Sequence, residues 1–298
     1  MRVLVTGASG YIGSAIVSEL IGAGHRVVGF ARSDASAAAL VAAGAEVHRG
    51  ALDDLESLRA GAAAADGVIH TAFVHDFSDI AASGEIDRRA VEALGAALEG
   101  SDRPLVVTSG TAVLSARRVG TEEDAPDPGS PGVHRIASET TALSLPSRGV
   151  RSSVVRLPPS VHDDGDLHGF VPIVIDIARA KGVSGSIGDG ANRWPAVHRL
   201  DAARLFRLAL ETAPAGAVLH GVGDEGVPVR DIAAVIGRHL GVPTISIAPE
   251  NAGAHFGWLA GFLGADVPAS SALTRELVGW QPTQPGLIDD LDQGHYFR

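Results

Sequence analysis

The stretch "MRVLVTGASGYIGSAIVSELIGAGHRVVGFAR", residues 1–32, decides the fold. Met1–Val5 is apolar without alternation, the pattern of a strand covered on both faces. Gly7, Gly10 and Gly13 follow with the spacing G-x-x-G-x-x-G, and Ile12, Ile16, Leu20 and Ile21 then recur at helical intervals. Gly22 and Gly24 close that helix, and Arg26–Phe30 is a second strand. Glycines at such a junction let the chain turn tightly, let a pyrophosphate approach the backbone, and leave free N–H groups at a helix N-terminus. With 37 glycines in 298 residues the spacing alone would not separate this from an ordinary glycine turn. Its place at the first strand–helix junction points to dinucleotide binding through Gly7, Ser9, Gly10, Tyr11, Ile12 and Gly13.

Outward from that unit the alternation continues. Helical patterns cover 36–43, 54–64, 88–98 and 135–145; strand patterns cover 46–49, 67–71, 104–109 and 151–156. Strands alternating with helices of this length predict βαβ units and a parallel sheet. After Pro158 the pattern loosens. "PPSVHDDGDLHGF" (158–170) and "SGSIGDGANRWPAVH" (184–198) are rich in Gly, Asp, Pro and His, as loops that line a site often are. "LDAARLFRLALE" (200–211) and "PVRDIAAVIGRHLG" (228–241) read as amphipathic helices, and 268–297 as two short helices broken by prolines.

Composition excludes several classes. Net charge is −11 with no basic run, so nucleic acid is not an expected partner. There is no cysteine, which removes disulfides and thiolate chemistry. No apolar run reaches the length of a membrane span, and the N-terminus lacks a signal-peptide pattern, so no membrane partner and a cytoplasmic location are expected. No His/Asp/Glu spacing matches a metal helix and no G-x-S-x-G elbow is present, so neither a metal nor a hydrolase triad is expected. Lys181 is the only lysine, and Tyr11 and Tyr296 are the only tyrosines.

Cofactor choice is read at the end of the second strand, where an acidic residue suits the ribose 2′-OH of NAD and an Arg suits a 2′-phosphate. Here the run is Phe30-Ala31-Arg32-Ser33-Asp34. Arg32 offers a planar fork of donors and Ser33 a hydroxyl, so NADP(H) is expected over NAD(H).

The loop "GASGYIG" resembles that of the extended and atypical short-chain dehydrogenase/reductase superfamily, the epimerase/dehydratase group. Further segments match in order. "ALDD" (51–54) is similar to the family's acidic turn after strand three and implies Leu52 and Asp53 at the adenine. "VIHTAF" (68–73) implies that His70, Thr71 and Ala72 line the cofactor. "VVTSGTAVL" (106–114) resembles the strand-five motif that carries a reactive Ser or Thr, here Ser109 or Thr111. "VVRLPPSVHDDGD" (154–166) resembles R-P-x-x-V-Y-G-x-G-D, implying Pro158 and Val161 at the cofactor and His162 at the Tyr position. "PAVHRLDAARL" and "LVGWQP" are similar to the family's later motifs. The resemblance implies a doubly wound Rossmann-type sheet with a smaller C-terminal substrate lobe: a dinucleotide-binding domain from 1–157 plus about 200–222, and a substrate lobe from 158–199 plus 223–298.

The resemblance breaks at "PGVHRIASETTALSL", residues 131–145. The family places Tyr-x-x-x-Lys here: the phenol gives a proton to a carbonyl oxygen, and the Lys lowers the phenol pKa and binds the nicotinamide ribose. Aligning Glu139 on the family's Glu puts Arg135 at the Lys and Pro131 at the Tyr; slipped registers put Arg135 and Glu139, or His134 and Ser138, on the pair. None gives a tyrosine. A cation at Arg135 suits ribose binding. The candidates left for catalysis are Thr111, Ser109, Arg135 and His162. His75, His134, His168, Phe170, Trp194 and His198 are the candidate substrate contacts.

Three functions follow. The first is an NADP(H)-dependent oxidoreductase that transfers a hydride to a small or medium carbonyl, imine or activated alkene, with a proton donor other than Tyr. The second is a non-catalytic NADP(H)-binding regulator. The third is a sugar-nucleotide epimerase or dehydratase, chemistry that leans on the missing Tyr. The resemblance also implies a homodimer through helices 88–98 and 135–145. Their small residues Ala90, Ala93, Ala97, Ala137 and Ala142 suit that contact or packing on the chain's own sheet.

Overall fold

The computed structural model describes residues 1–76, 79–114 and 118–298. Twelve strands are present among them: β1 (Arg2–Thr6), β2 (Arg26–Ala31), β3 (Glu46–Arg49), β4 (Gly67–His70), β5 (Pro104–Gly110), β6 (Arg151–Leu157), β7 (Ser160–His162), β8 (Ser184–Ile187), β9 (Arg193–His198), β10 (Ala217–His220), β11 (Asp224–Pro228) and β12 (Thr244–Ile247). The helices are α1 (Tyr11–Gly22), α2 (Asp34–Ala42), α3 (Leu55–Ala63), α4 (Ile80–Leu98), α5 (Ile136–Ser144), α6 (Phe170–Lys181), α7 (Arg199–Thr212), α8 (Val229–Leu240), α9 (Ala252–Phe256), α10 (Ala260–Leu263), α11 (Ala272–Val278) and α12 (Leu287–Asp292).

Seven strands form one parallel sheet in the order β10-β6-β5-β4-β1-β2-β3. The winding reverses between β1 and β4, and in such sheets the ligand crevice lies outside the carboxyl ends of the strands at that switch. The unbroken apolar run of β1 now has its reason. Val3 and Val5 join Ile16, Leu20, Phe206 and Trp280 on one face, while Leu4 joins Leu58, Leu94 and Leu105 on the other. Side chains alternate across a strand, so a strand covered by helices on both faces is apolar at every position. The α7–β10 unit returns to the edge of this sheet beside β6.

The remaining strands form two small sheets, β11-β9-β7 and β12-β8. A third core, including Val171, Ile175, Trp194, Ile232, Ile236, Phe256 and Leu287, sits with them. Among the described residues no helix is long and apolar enough to cross a membrane.

One reading of the sequence changes in extent. Helix α4 begins at Ile80, not Arg88. Asp79 caps it by accepting the Ala82 N–H at 3.0 Å, and Gly84 sits where an added Cβ would lie 2.4 Å from the His134 carbonyl oxygen. A capping Asp and a close-approach Gly both look like helix breakers in a periodicity reading. The short elements α9 and α10, and the strands of the small sheets, carry too few residues for a period to show. Helices α4 and α5 pack on each other within the chain, burying Ala90, Ala93 and Ala142.

Candidate functional site

The β1–α1 turn is shaped by close approach. Gly7 has φ +66, and a Cβ there would meet the Ala72 nitrogen at 2.7 Å and Thr71 Oγ1 at 2.8 Å. A Cβ on Gly13 would lie 2.0 Å from the Gly7 carbonyl oxygen, and one on Gly10 3.1 Å from it. The turn closes by a 2.9 Å bond from the Gly10 N–H to that same oxygen. Helix α1 has Gly10 as N-cap, no side-chain cap and no acidic residue in its first turn. Its N-terminal N–H groups are therefore left to solvent or a ligand, and the positive dipole end favours an anion. The backbone cradle and the uncapped terminus fit a dinucleotide pyrophosphate.

The β4 end is tied to the same turn. Thr71 Oγ1 donates to the Thr6 carbonyl at 2.8 Å, and the Ala72 N–H to Thr6 Oγ1 at 3.3 Å. At the β2 end, Arg32 is exposed and makes no ion pair among the described residues. Ser33 caps α2 by accepting the Ser36 N–H at 3.1 Å. The carboxylate of Asp34 turns to Arg49 at the end of β3. Leu52 and Asp53 lie on the turn after β3, Leu52 packed against the core and Asp53 exposed.

Under the β4 and β5 ends runs a buried polar ladder. His70 is fully buried; Thr6 Oγ1 donates to its Nδ1 at 2.7 Å, and its Nε2 donates to Asp87 Oδ1 at 3.0 Å. Asp87 Oδ2 faces Arg135 at 3.4 Å, and Arg135 also donates to the Thr108 carbonyl. Burial pushes the Asp87 carboxyl up, but Arg135 and His70 outweigh it and hold it below its usual range. The Arg135 guanidinium lies 4.3 Å from the centre of the Phe73 ring. Phe73 in turn meets His75 at 5.3 Å and His134 at 5.8 Å between ring centres.

A second ladder joins β5, α5, β6 and β10. Ser109 Oγ donates to Glu139 Oε2 at 2.6 Å, and Arg156 donates to Glu139 through Nε at 3.1 Å and a terminal nitrogen at 2.5 Å. Arg156 reaches His220 Nε2 at 3.3 Å, and His220 Nδ1 donates to the Ser270 carbonyl at 2.8 Å. Arg156 and Glu139 are both 1% exposed. Thr111, just past β5, is 1% exposed, and its hydroxyl has no partner among the described residues.

The loop after β7 closes over the α1 terminus. Tyr11 Oη donates to Asp163 Oδ1 at 2.8 Å, and Arg199 bonds Asp163 at 3.0 Å and Ser14 Oγ at 2.8 Å. Burial, then Asp163, raise the Tyr11 phenol far above its ordinary range. Tyr296 Oη donates to Asp166 at 3.4 Å and is likewise raised, first by burial. Both tyrosines of the chain are thus bonded to aspartates of the loop after β7. His162 is buried, with Nδ1 bonded to Asp290 at 2.9 Å and its ring 5.4 Å from that of His198. His198 Nδ1 accepts the Leu200 N–H at 3.2 Å, capping α7. Pro158 is buried and Val161 packs on the main core.

The candidate residues therefore fall into separate groups. Phe73 brings His75, His134 and Arg135 together; Ser109 stands in the second ladder; His162 meets His198. Phe170 and Trp194 meet at 5.7 Å in the third core, with Trp194 only 2% exposed. His168 is exposed on its loop. Sequence reading missed Phe73, Asp87, Asp163, Arg199 and Asp290. Asp87 and Asp290 sit in polar runs that look solvated, and only the fold buries them. Phe73 follows directly on the "VIHTAF" histidine and could have been found there. Among the described residues no group of three or more acidic or histidine side chains is arranged to hold a metal.

A profile of the NAD dependent epimerase/dehydratase family matches residues 3–220. An uncharacterised protein of Schizosaccharomyces pombe is 52% identical over 299 residues, covering 100% of both chains. The 4-hydroxy-2-methyl-3-oxo-4-farnesyl-3,4-dihydroquinoline-1-oxide ketoreductase of Stigmatella aurantiaca is 29% identical over 269 residues, 86% of this chain and 80% of that one. Among solved structures, the dTDP-glucose 4,6-dehydratase DesIV of Streptomyces venezuelae, crystallised with NAD bound, superimposes with a TM-score of 0.79 at 20% identity, over 99% of this chain and 96% of that one.

Proposed function

The chain belongs to the NAD-dependent epimerase/dehydratase family, and we propose that it is an NADP(H)-dependent oxidoreductase whose proton donor is not a tyrosine. The substrate is a small or medium carbonyl, imine or activated alkene. The observation that carries this reading is the glycine cradle beneath an uncapped α1, set at the sheet's switch point. When bound there, a nicotinamide dinucleotide supplies or accepts a hydride. Gly7, Gly10 and Gly13 would admit its phosphates between the walls that Thr71 and Ala72 form, and Arg32 would be the donor available to a 2′-phosphate.

The preference for the phosphorylated cofactor follows from the same corner. Asp34, the one acidic side chain in the 30–34 run, is engaged by Arg49, while Arg32 keeps its donors. A ketoreductase among the relatives agrees with carbonyl reduction. Exposed Pro131 at the family's phenol position argues against the epimerase and dehydratase chemistries, which lean on that group.

The test pairs binding with turnover. Titration should give tighter binding of NADPH than NADH, and NADPH absorbance should fall with a member of a broad carbonyl, imine and enone panel. Equal or tighter NADH binding sinks the cofactor preference. Tight NADPH binding with no turnover across the panel replaces the oxidoreductase by a redox-sensing binding protein.

A further inference from the structure

We propose that His134 gives the proton to the substrate in place of the missing phenol, an assignment that rests on the oxidoreductase reading above. The geometry selects it. A proton donor has to lie at the carboxyl edge beyond the phosphate turn, expose a ring nitrogen to the substrate, and recover its proton from water. From Gly7 the wall of the cradle passes to Ala72, then to the neighbouring Phe73, and from its ring to His134. The His134 backbone is fixed on two sides: Gly84 of α4 presses on its carbonyl oxygen, and the Gly132 N–H donates to the Ala112 carbonyl at 2.9 Å. The turn carrying His134 is thereby held against the turn carrying Thr111.

The other histidines of this edge are placed differently. His70 and His220 have both ring nitrogens bonded inside the ladders. His162 is bonded to Asp290 through Nδ1 and its Nε2 has no partner among the described residues, but the ring is fully buried and cannot recover a proton from water. His198 spends Nδ1 on the α7 cap, keeps Nε2, and packs on His162 rather than on the Phe73 wall. The His75 ring is bonded to the backbone of Phe73. His134 is half-buried, and its imidazole has no hydrogen-bond partner among the described residues, so both nitrogens are free for substrate and solvent.

The step balances. In the reducing direction the carbonyl carbon gains a hydride from the reduced dinucleotide, and the C=O π pair moves onto oxygen. The imidazolium N–H of His134 breaks and its proton goes to that oxygen. The carbonyl is reduced to an alcohol, the dinucleotide is oxidised, and the neutral imidazole takes a proton from water at its open edge. Charged and titratable groups facing His134 are Arg135 from its own turn, Asp87 from α4 and His75 from the β4–α4 loop. Burial, then Arg135, lower its pKa; Asp87 opposes them and His75 adds to the lowering. The acid form is therefore the one lost as pH rises, and reduction should slow through a point below ordinary histidine titration.

The experiment uses the full chain with NADPH and the best substrate of the panel. His134→Gln should keep NADPH affinity and lose kcat/KM by on the order of a hundredfold or more, with the alkaline fall of the pH profile gone. His134→Ala should regain part of the rate on adding imidazole. In the NADP+-bound wild type, the His134 ring titrated by NMR should follow the kinetic profile within about one unit. An H134Q variant that turns over like the wild type with the same profile, or an NMR titration displaced from it, overturns the assignment alone. A wild type that binds NADPH and turns over nothing overturns the assignment together with the oxidoreductase reading.

Discussion

At the β1–α1 turn the polar groups that await a ligand belong to the backbone; on the β5–α5–β6 side they are side chains, buried and already paired. The first region needs glycines at fixed spacing because N–H groups must be reached, and a Cβ on Gly7 or Gly13 would strike backbone. The second needs carboxylate, guanidinium and imidazole brought from α4, α5, β6 and β10. A backbone site is lost by adding one methyl group. A side-chain ladder is lost by removing one partner and leaving the other buried.

That contrast is open to breakage, and its largest consequence lies in the second region. Arg156→Met leaves the Glu139 carboxylate buried with the Ser109 hydroxyl as its remaining donor. Breaking a buried ion pair from one side typically costs about 3–5 kcal/mol, whereas replacing both partners with apolar groups is often neutral. Urea unfolding should show R156M strongly destabilised and the double variant E139L/R156M largely recovered. A single variant within about 1 kcal/mol of wild type would mean the ladder is solvated and the contrast false.

Next in size is Gly13→Ala. Its Cβ would begin 2.0 Å from the Gly7 carbonyl oxygen, so the turn has to move. Overpacking of this kind costs about 1–3 kcal/mol, and the displaced turn should no longer bind NADPH in a fluorescence titration. Retained binding would show that the phosphates are held elsewhere. Arg32→Ala sharpens the same region from its other end. Loss of one charged contact should weaken NADPH by about tenfold, ~1.4 kcal/mol, and leave NADH unchanged. Equal losses for both would place Arg32 at the adenine or the ribose rather than at a 2′-phosphate.

The contrast also explains what could be read without coordinates. Residues 1–32 announce their strand, turn, helix and strand because close approach demands glycine and a doubly covered strand demands an apolar run. Both demands are local. Helix α7 was legible through the clean amphipathic period of 200–211; its return to the sheet edge with β10 was not in that period and came only from the family resemblance. The ladders were not, since Asp87 looks like one more charge in "GEIDRR" and Asp290 one more in "LIDDLD". Only tertiary contacts bury the first beside His70 and Arg135 and the second beside His162. That 131–145 holds no tyrosine is plain from the sequence; that the His134 ring packs on Phe73 without a hydrogen-bond partner among the described residues is not, because it depends on everything around it.

The smallest effect tests where the two regions meet. Thr111 follows β5, is 1% exposed, and leaves Oγ1 without a partner among the described residues. An unsatisfied buried hydroxyl carries a desolvation cost of about 1–3 kcal/mol that folding does not return. Thr111→Val removes the hydroxyl and keeps the branched shape, so thermal unfolding should show equal stability or a gain of up to about 1 kcal/mol. If the hydroxyl is kept for a substrate oxygen, the same variant loses kcat/KM while gaining stability, the opposite of what a structural threonine would do. A fall in stability would instead reveal a bonded hydroxyl, and Thr111 would join the paired ladders rather than the groups left open for a ligand.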